Sequence, residues 1–275
     1  MPELPEVETI KNQLSPFLPF KIDESHFSKL TTRMVKKKDF DLTGRTITKI
    51  RRHGKWLIFE LSPNGFILSH LGMSGTWRTS HGPLQNEKET KHSHIKLIDH
   101  SKHSNGYLTY VDPRRFGHFY ALSDEHFKEK EQTLGPDVSS SDFDENKIAE
   151  IFFRYPKKTL KPFLLDQKAF PGVGNYMASE ICARAHILPT RLTGDITALE
   201  IHKIKTAIDI VVSGAVKTSG TTFSGGYRDA NGEKGLGVQH LVVFHQKICQ
   251  MCKRTPVTKV ILGGRATFFC SHCQK

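Results

Sequence analysis

Hydrophobic positions change their period several times along the chain. Over residues 3–14, Val7, Ile10 and Leu14 recur on one face with Pro2 just ahead of the first turn, which predicts an amphipathic helix. From about 45 to 120 the pattern changes to short β-like runs: "WLIFEL" (56–61), "GFILSHL" (65–71), "HIKLID" (94–99) and "GYLTYV" (106–111). Gly, Asn, Pro and Ser turns separate these runs, so they predict a mostly β domain, a sandwich or a barrel, carrying the N-terminal helix. The His- and Lys-rich segment 81–105 reads as a solvated loop, with His92 and His94 as surface or hydrogen-bonding residues rather than metal ligands.

The next stretch, "SDEHFKEKEQTLGPDVSSSDFDE", is polar and marks a linker, placed at 131–145. Helical patterns follow in "SDFDENKIAEIFFRY", "KKTLKPFLLDQ" and "NYMASEICARAHIL". A long helix then starts at about Thr197, where the Thr197-x-x-Glu200 spacing suits a capping box. Residues 220–237 hold six glycines and few apolar anchors, which predicts a mobile loop. The organisation expected is therefore α+β and multidomain. It comprises a β domain over 1–130, a helical domain over 146–238 that includes loop 220–237, and a small C-terminal module over 239–275.

That module is set apart by its cysteines. Cys249, Cys252, Cys270 and Cys273 form C-x2-C-x17-C-x2-C, the spacing of two thiolate knuckles around one tetrahedral zinc ion. Between them "VTKVILGGRATFF" alternates and breaks at Gly263-Gly264, a two-residue hairpin turn. So short a segment has little core of its own, and a zinc staple would hold it. Arg265 follows the turn, either solvated or positioned to probe a phosphate. The fifth cysteine, Cys182, reads as a small buried hydrophobe.

Charge changes the picture next. The 275 residues carry 40 Lys and Arg against 28 Asp and Glu, a formal charge of +12, which favours a polyanionic partner, nucleic acid before membrane. No apolar run is long enough to span a bilayer, and the acidic N-terminus lacks the layout of a signal peptide, so an intracellular monomer is expected.

Three further motifs carry chemistry. "FPGVGN" (170–175) lies between helical segments, and the residues alone favour a plain helix-turn-helix corner; the alternative is that Asn175 opens a helix whose amide end can receive a phosphate. The loops "HLGMSG" (70–75) and "DPRRFG" (112–117) present Met73, Arg114 and Phe116 in turns. Their alternatives are packing, or an apolar wedge beside a guanidinium that enters a base stack. Finally, "MPELPEVETI" is a well-capped helix start, or a nucleophile in waiting. Removal of Met1 would give Pro2 a free secondary amine, which condenses with an aldehyde carbon to an iminium, with Glu3 and Glu6 near enough to move protons.

Taken together, "MPELPEVET", "GKW" around Lys55, "HLGMSG", "DPRRFG", "GVGN…ASE" and "GRATFFCSHCQK" make the chain resemble the formamidopyrimidine-DNA glycosylase family, which also contains endonuclease VIII. The resemblance implies a β-sandwich domain, a helix-two-turn-helix element and a zinc finger. It implies a bifunctional DNA repair enzyme acting on damaged double-stranded DNA, with Pro2 as nucleophile, Glu3 as general acid and base, and Glu6 ordering the pocket. It further implies that Lys55, His70, Asn175 and Arg265 grip phosphates and that Met73, Arg114 and Phe116 fill the void left by a flipped base. Leu4 and the complete trio point to the branch that removes 8-oxoguanine and formamidopyrimidines. The alternatives are an endonuclease VIII-like preference for oxidised pyrimidines, or a non-catalytic zinc-containing binder of damaged DNA. Departures from the family pattern fall at Ser93, at "NYM", at Ser224-Gly225-Gly226 and at Leu236-Gly237, and bear on lesion preference rather than on Pro2 or Glu3.

Overall fold

The structure, a computed structural model, describes residues 1–101, 105–223 and 226–275. The chain folds as two compact units, Met1–Thr133 with Thr218–Leu236, and Leu134–Lys217 with Gly237–Lys275.

The first unit opens with helix α1 (Leu4–Leu14), whose buried face is Leu4, Val7, Ile10 and Leu14. Strands β1 (Phe20–Lys21), β2 (Glu24–Phe27), β3 (Val35–Lys38), β4 (Thr46–His53), β5 (Trp56–Ser62), β6 (Phe66–His70) and β7 (Thr76–Ser80) follow. After helix α2 (Glu87–Lys91) come β8 (Ser93–Asp99), β9 (Gly106–Val111), β10 (His118–Leu122) and helix α3 (Asp124–Gln132). Among the described residues these build a six-stranded sheet, β1-β4-β5-β6-β10-β3, and a four-stranded sheet, β2-β8-β9-β7. Only the β10–β3 pair of these ladders is parallel. One core joins both sheets to α1: Leu57, Phe59, Ile67 and Phe119 from the larger, Trp77, Ile95, Leu97, Leu108 and Tyr110 from the smaller, and Val7, Ile10 and Leu14 from the helix. This is a sandwich, and the period of two explains its second layer. Ile58, Leu68 and Leu122 point to the opposite face and meet Phe127 of α3.

Two expectations change here. The polar stretch from 123 begins as a helix rather than a linker, because Ser123 caps it through the His126 amide and Phe127 stacks on Phe66 at 3.8 Å. Segment 81–105 is not a loop throughout. Asn86 caps α2, Arg78 pins that helix through Glu89, and His94 is buried between Ser28 Oγ (3.1 Å) and Asp112 O (3.0 Å). Lys102, His103 and Ser104 of that segment lie outside the described residues.

Segment Thr218–Leu236 packs in the first unit, whereas the sequence pattern put loop 220–237 with the helical domain. The reason is that two anchors escape a count of apolar residues. Tyr227 and Ala230 join the sandwich core, Gln13 bonds Asp229 and the Ala230 amide, and the Arg78 guanidinium donates to the Asp229 carbonyl. Ser224 and Gly225 of this loop lie outside the described residues.

The second unit contains α4 (Glu145–Arg154), α5 (Leu160–Phe163), α6 (Asn175–Arg184) and α7 (Ala198–Lys217), then the hairpin β11 (Thr258–Leu262) and β12 (Arg265–Phe269). The helix expected across "KKTLKPFLLDQ" amounts to α5 alone, a single turn. Helix α7 starts at the expected capping box, with Thr197 N donating to Glu200 Oε2 and Glu200 N to Thr197 Oγ1. Phe143, Phe152, Phe163 and Phe170 form an aromatic cluster beside α4 and α5. Glu180 of α6, almost fully buried, accepts from the amides of Val242, Val243 and Phe244 and so seats the chain leading into the cysteine module.

Candidate active site

Helix α1 begins with a capping arrangement made of acids. Glu3 is the extended N-cap residue, and its amide donates to Glu6 Oε2 at 2.7 Å. The other Glu6 oxygen accepts the Thr221 amide at 2.7 Å. Both carboxylates are withdrawn from solvent, at 3% exposure for Glu3 and 1% for Glu6, and Pro2 is buried while Met1 is exposed. Gly220 has φ +82° and lies against Glu6, so a Cβ there would come within 2.9 Å of Glu6 Cγ.

One ion pair ties this helix to the β4–β5 turn. Arg52 Nε donates to Glu8 Oε2 at 2.8 Å, and its guanidinium also reaches Gly54 O at 3.3 Å. Gly54, at φ +56°, makes the turn, and Lys55 follows it, 7% exposed. The N-terminus of α1 and Lys55 thus sit on elements joined by a nearly buried charge pair.

His70 ends β6 directly across from Trp56 of β5 and His118 of β10. The ring centroids lie 4.9 and 5.9 Å away. Burial, followed by the charges of Lys55 and His118, lowers the His70 pKa to about 4, so the ring is neutral at pH 7. Gly72 N donates to Nδ1 at 3.1 Å, which leaves Nε2 as the protonated nitrogen and a hydrogen-bond donor.

Beyond His70 the two turn loops meet. Met73 and Phe116 are 38% and 51% exposed, unusual for large apolar side chains, and the Arg114 guanidinium lies 5.0 Å from the centre of the Phe116 ring. The loops that carry these three side chains meet over a buried floor that includes Asp112 and Tyr110.

In the second unit, Asn175 is the first residue of α6. Its side-chain Oδ1 accepts from Lys161 Nζ at 2.5 Å, and its Nδ2 donates to Ala266 O at 3.0 Å. Lys161 is fully buried. The amide is therefore held in one orientation, and it fastens the start of α6 to β12 beside the exposed Arg265. Gly263 and Gly264, at φ +55° and +72°, form the hairpin turn that the dipeptide predicts.

The four cysteines of the C-terminal module converge as well. Their sulfurs all lie within 4.8 Å of one another, with Cys249–Cys273 and Cys252–Cys270 each at 4.0 Å. Sulfurs about 2.3 Å from a tetrahedral ion stand about 3.8 Å apart, so a small inward shift lets these four residues hold a metal ion.

Two family models match this chain: the formamidopyrimidine-DNA glycosylase N-terminal domain over residues 1–119 and its H2TH domain over 134–225. The formamidopyrimidine-DNA glycosylase of Salmonella dublin is 35% identical over 280 residues, and that of Halalkalibacterium halodurans 34% over 287, each spanning both chains in full. The chain belongs to the formamidopyrimidine-DNA glycosylase family. It is a DNA glycosylase of base-excision repair. Among solved structures, the Lactococcus lactis enzyme in complex with abasic-site DNA has a TM-score of 0.85 at 31% identity, covering 99% of each chain. The Thermus thermophilus enzyme gives 0.84 at 30% identity, covering 99% of this chain and 98% of that one.

In the glycosylase, the first unit carries Pro2, Glu3, Glu6, Lys55, His70, Met73, Arg114 and Phe116, and the second unit carries Asn175, Arg265 and the four cysteines. Supporting residues escaped sequence reasoning. Glu8 and Arg52 sit 44 residues apart, and no local pattern pairs them. Lys161 was lost among neighbouring lysines in "KKTLKPF", and only the fold reveals that it alone of them is buried. Among the described residues, no helix is long and apolar enough to cross a membrane.

Proposed function

We propose that this enzyme excises oxidised purines from duplex DNA, acting as a monomer, through a free Pro2 amine. The observation that carries the reading is the start of α1. Pro2 stands at the head of a helix whose first turn is fixed by Glu6, beside a buried Glu3, with Lys55 on the neighbouring turn. Once Met1 is removed, Pro2 carries a secondary α-amine, and α-amines as a class bind a proton less tightly than lysine does, which favours an unprotonated, nucleophilic nitrogen. Its lone pair attacks C1′ of the damaged nucleotide. The glycosidic bond breaks, and the base leaves with the bonding electrons and a proton from an acid. Ring opening of the sugar then gives an iminium between Pro2 and C1′.

That iminium is an electron sink. Loss of a C2′ proton expels the 3′ phosphate, and a second elimination through C4′ expels the 5′ phosphate. A buried carboxylate one residue from the amine supports the reading of Glu3 as the group that supplies and collects protons at the sugar. Glu6 spends both oxygens on backbone amides, so its part is to hold the helix start and the Thr218–Leu236 segment in register. Lys55, the neutral Nε2–H of His70, Asn175 and Arg265 are donors suited to phosphates flanking the lesion. The exposed Met73, Arg114 and Phe116 suit the gap left by an extruded nucleotide, the arginine offering hydrogen bonds to the orphaned base.

Cys249, Cys252, Cys270 and Cys273 would hold one structural zinc ion, because four thiolates gathered this closely favour it. Bound there, it would close the base of the hairpin that carries Arg265.

The test is borohydride trapping on duplexes carrying 8-oxoguanine opposite C. A covalent protein–DNA adduct is expected with protein whose intact mass lacks Met1, and Pro2→Gly should abolish or strongly weaken it. No adduct from correctly processed protein overturns the nucleophile. A second reading has one observation in its favour: a structure of the Lactococcus lactis relative holds DNA containing an oxidised pyrimidine. Turnover confined to thymine glycol opposite A would move this enzyme to the endonuclease VIII-like preference.

A further inference from the structure

The floor beneath the two turn loops is built around one carboxylate. Asp112 is wholly buried, and its partners are the Ser74 hydroxyl from one loop, the Arg114 and Gly117 amides from its own, and the neighbouring Tyr110 hydroxyl. Oδ1 accepts from Ser74 Oγ at 2.6 Å and from Arg114 N at 3.2 Å, while Oδ2 accepts from Gly117 N at 2.8 Å. Ser74 Oγ also accepts from Arg114 N at 3.1 Å, so hydroxyl, carboxylate and amide close a small ring across the two loops. The backbone of Asp112 is fixed in turn: its amide donates to His92 O at 3.0 Å and its carbonyl accepts from His94 Nε2 at 3.0 Å.

The glycines around this carboxylate allow the loops to touch. A Cβ on Gly72, itself at φ +64°, would fall 2.5 Å from the Phe116 carbonyl carbon and oxygen. A Cβ on Gly75 or Gly117 would fall 2.1 or 1.8 Å from the Tyr110 hydroxyl. That hydroxyl lies 3.4 Å from Leu71 O. The loops therefore share one close-packed base, and the hydroxyl of Ser74 is the side-chain link from the Met73 loop to the carboxylate.

We propose that Asp112 is a positioning residue that, through Ser74, fastens the loop bearing Met73 to the loop bearing Arg114 and Phe116, so that the three side chains enter the duplex as one rigid wedge. The inference rests on the wedge role given above. Its physical basis is preorganisation. Opening a base stack is unfavourable, and side chains held in register before contact lose less conformational freedom in doing it than side chains on two independent loops. Asp112 touches neither DNA nor the reacting atoms in this reading. It acts through the geometry of others.

The experiment compares two substrates under single-turnover conditions: a duplex with 8-oxoguanine opposite C, which requires a wedge, and a single-stranded oligonucleotide with a preformed abasic site, which does not. The quantity read is the ratio of the two rates. Ser74→Ala is expected to lower that ratio about tenfold, the scale of one lost hydrogen bond to a charged group, and Ser74→Thr, which keeps the hydroxyl, to restore it. Asp112→Asn should lower the ratio further, and where that variant does not fold the serine pair carries the test. An equal loss on both substrates, or an unchanged ratio in Ser74→Ala, overturns the proposal while leaving the function intact. Wild-type protein inactive on both substrates overturns the functional reading and this inference with it.

Discussion

The backbone amide of Thr221 donates to Glu6 Oε1 at 2.7 Å, joining two positions 215 residues apart. The same carboxylate caps the amide of Glu3 through its second oxygen, so one side chain sets both the helix start that presents Pro2 and the base of the 218–236 segment. Glu6→Gln leaves one acceptor oxygen for two amides and turns an NH2 toward the other. The variant is expected to lose about 1–3 kcal/mol of stability by denaturant titration. The Thr221 amide should exchange its hydrogen faster than in the wild type. Unchanged exchange at Thr221 would contradict the bridging role.

His70 gives a pH dependence of definite sign. Its folded pKa is lowered from 6.5 to about 4, so between these values the unfolded chain binds a proton that the folded one does not. Stability therefore falls as pH drops through this window, by at most about 1.4 kcal/mol per pH unit from this residue. Denaturation at pH 7, 6 and 5 should show a steeper loss for the wild type than for His70→Gln. Parallel curves would remove His70 as the cause.

Lys55 and Arg265 should reveal themselves in ionic strength. Replacing either by Ala is expected to weaken binding to duplexes of many sequences and to flatten the slope of log affinity against log salt by about one charge. A slope equal to that of the wild type would place the side chain away from phosphate.

The cysteine module is expected to contain one zinc ion per chain by elemental mass spectrometry. Cys270→Ser, or prolonged chelation of the wild type, should release it and raise hydrogen exchange across Thr258–Phe269. The hairpin has a polar, half-exposed face and little core to hold it otherwise. Retention of both metal and protection in Cys270→Ser would rule out that ligand set.

How much of this was legible in the sequence depends on the range of the interaction. Local signals read true: the short β-like runs of β5 and β6, the Thr197–Glu200 box, the Gly263-Gly264 turn and the cysteine spacing each depend on residues close in the chain. The family resemblance supplied the chemistry that local rules left open at Pro2. What escaped was long-range. Nothing near Tyr227 or Ala230 shows that they fill the sandwich core, because their partners are on α1 and the two sheets. The burial of Lys161 and the pairing of Glu8 with Arg52 are likewise properties of the fold, and Asp112 looked like one more turn residue in a motif read for its arginine and phenylalanine.

The membership of Thr218–Leu236 in the first unit also bears on how the protein is made. A ribosome delivers the strands of both sheets long before it delivers Tyr227, Ala230 and the Thr221 amide. Until then the sandwich has an unfilled place in its core and Glu6 lacks one of its two donors. The residues that complete this core are synthesised only after the whole of α4 to α7. The end bearing Pro2 therefore takes its last native contacts from residues far downstream, and the start of the protein is completed by a segment close to its end.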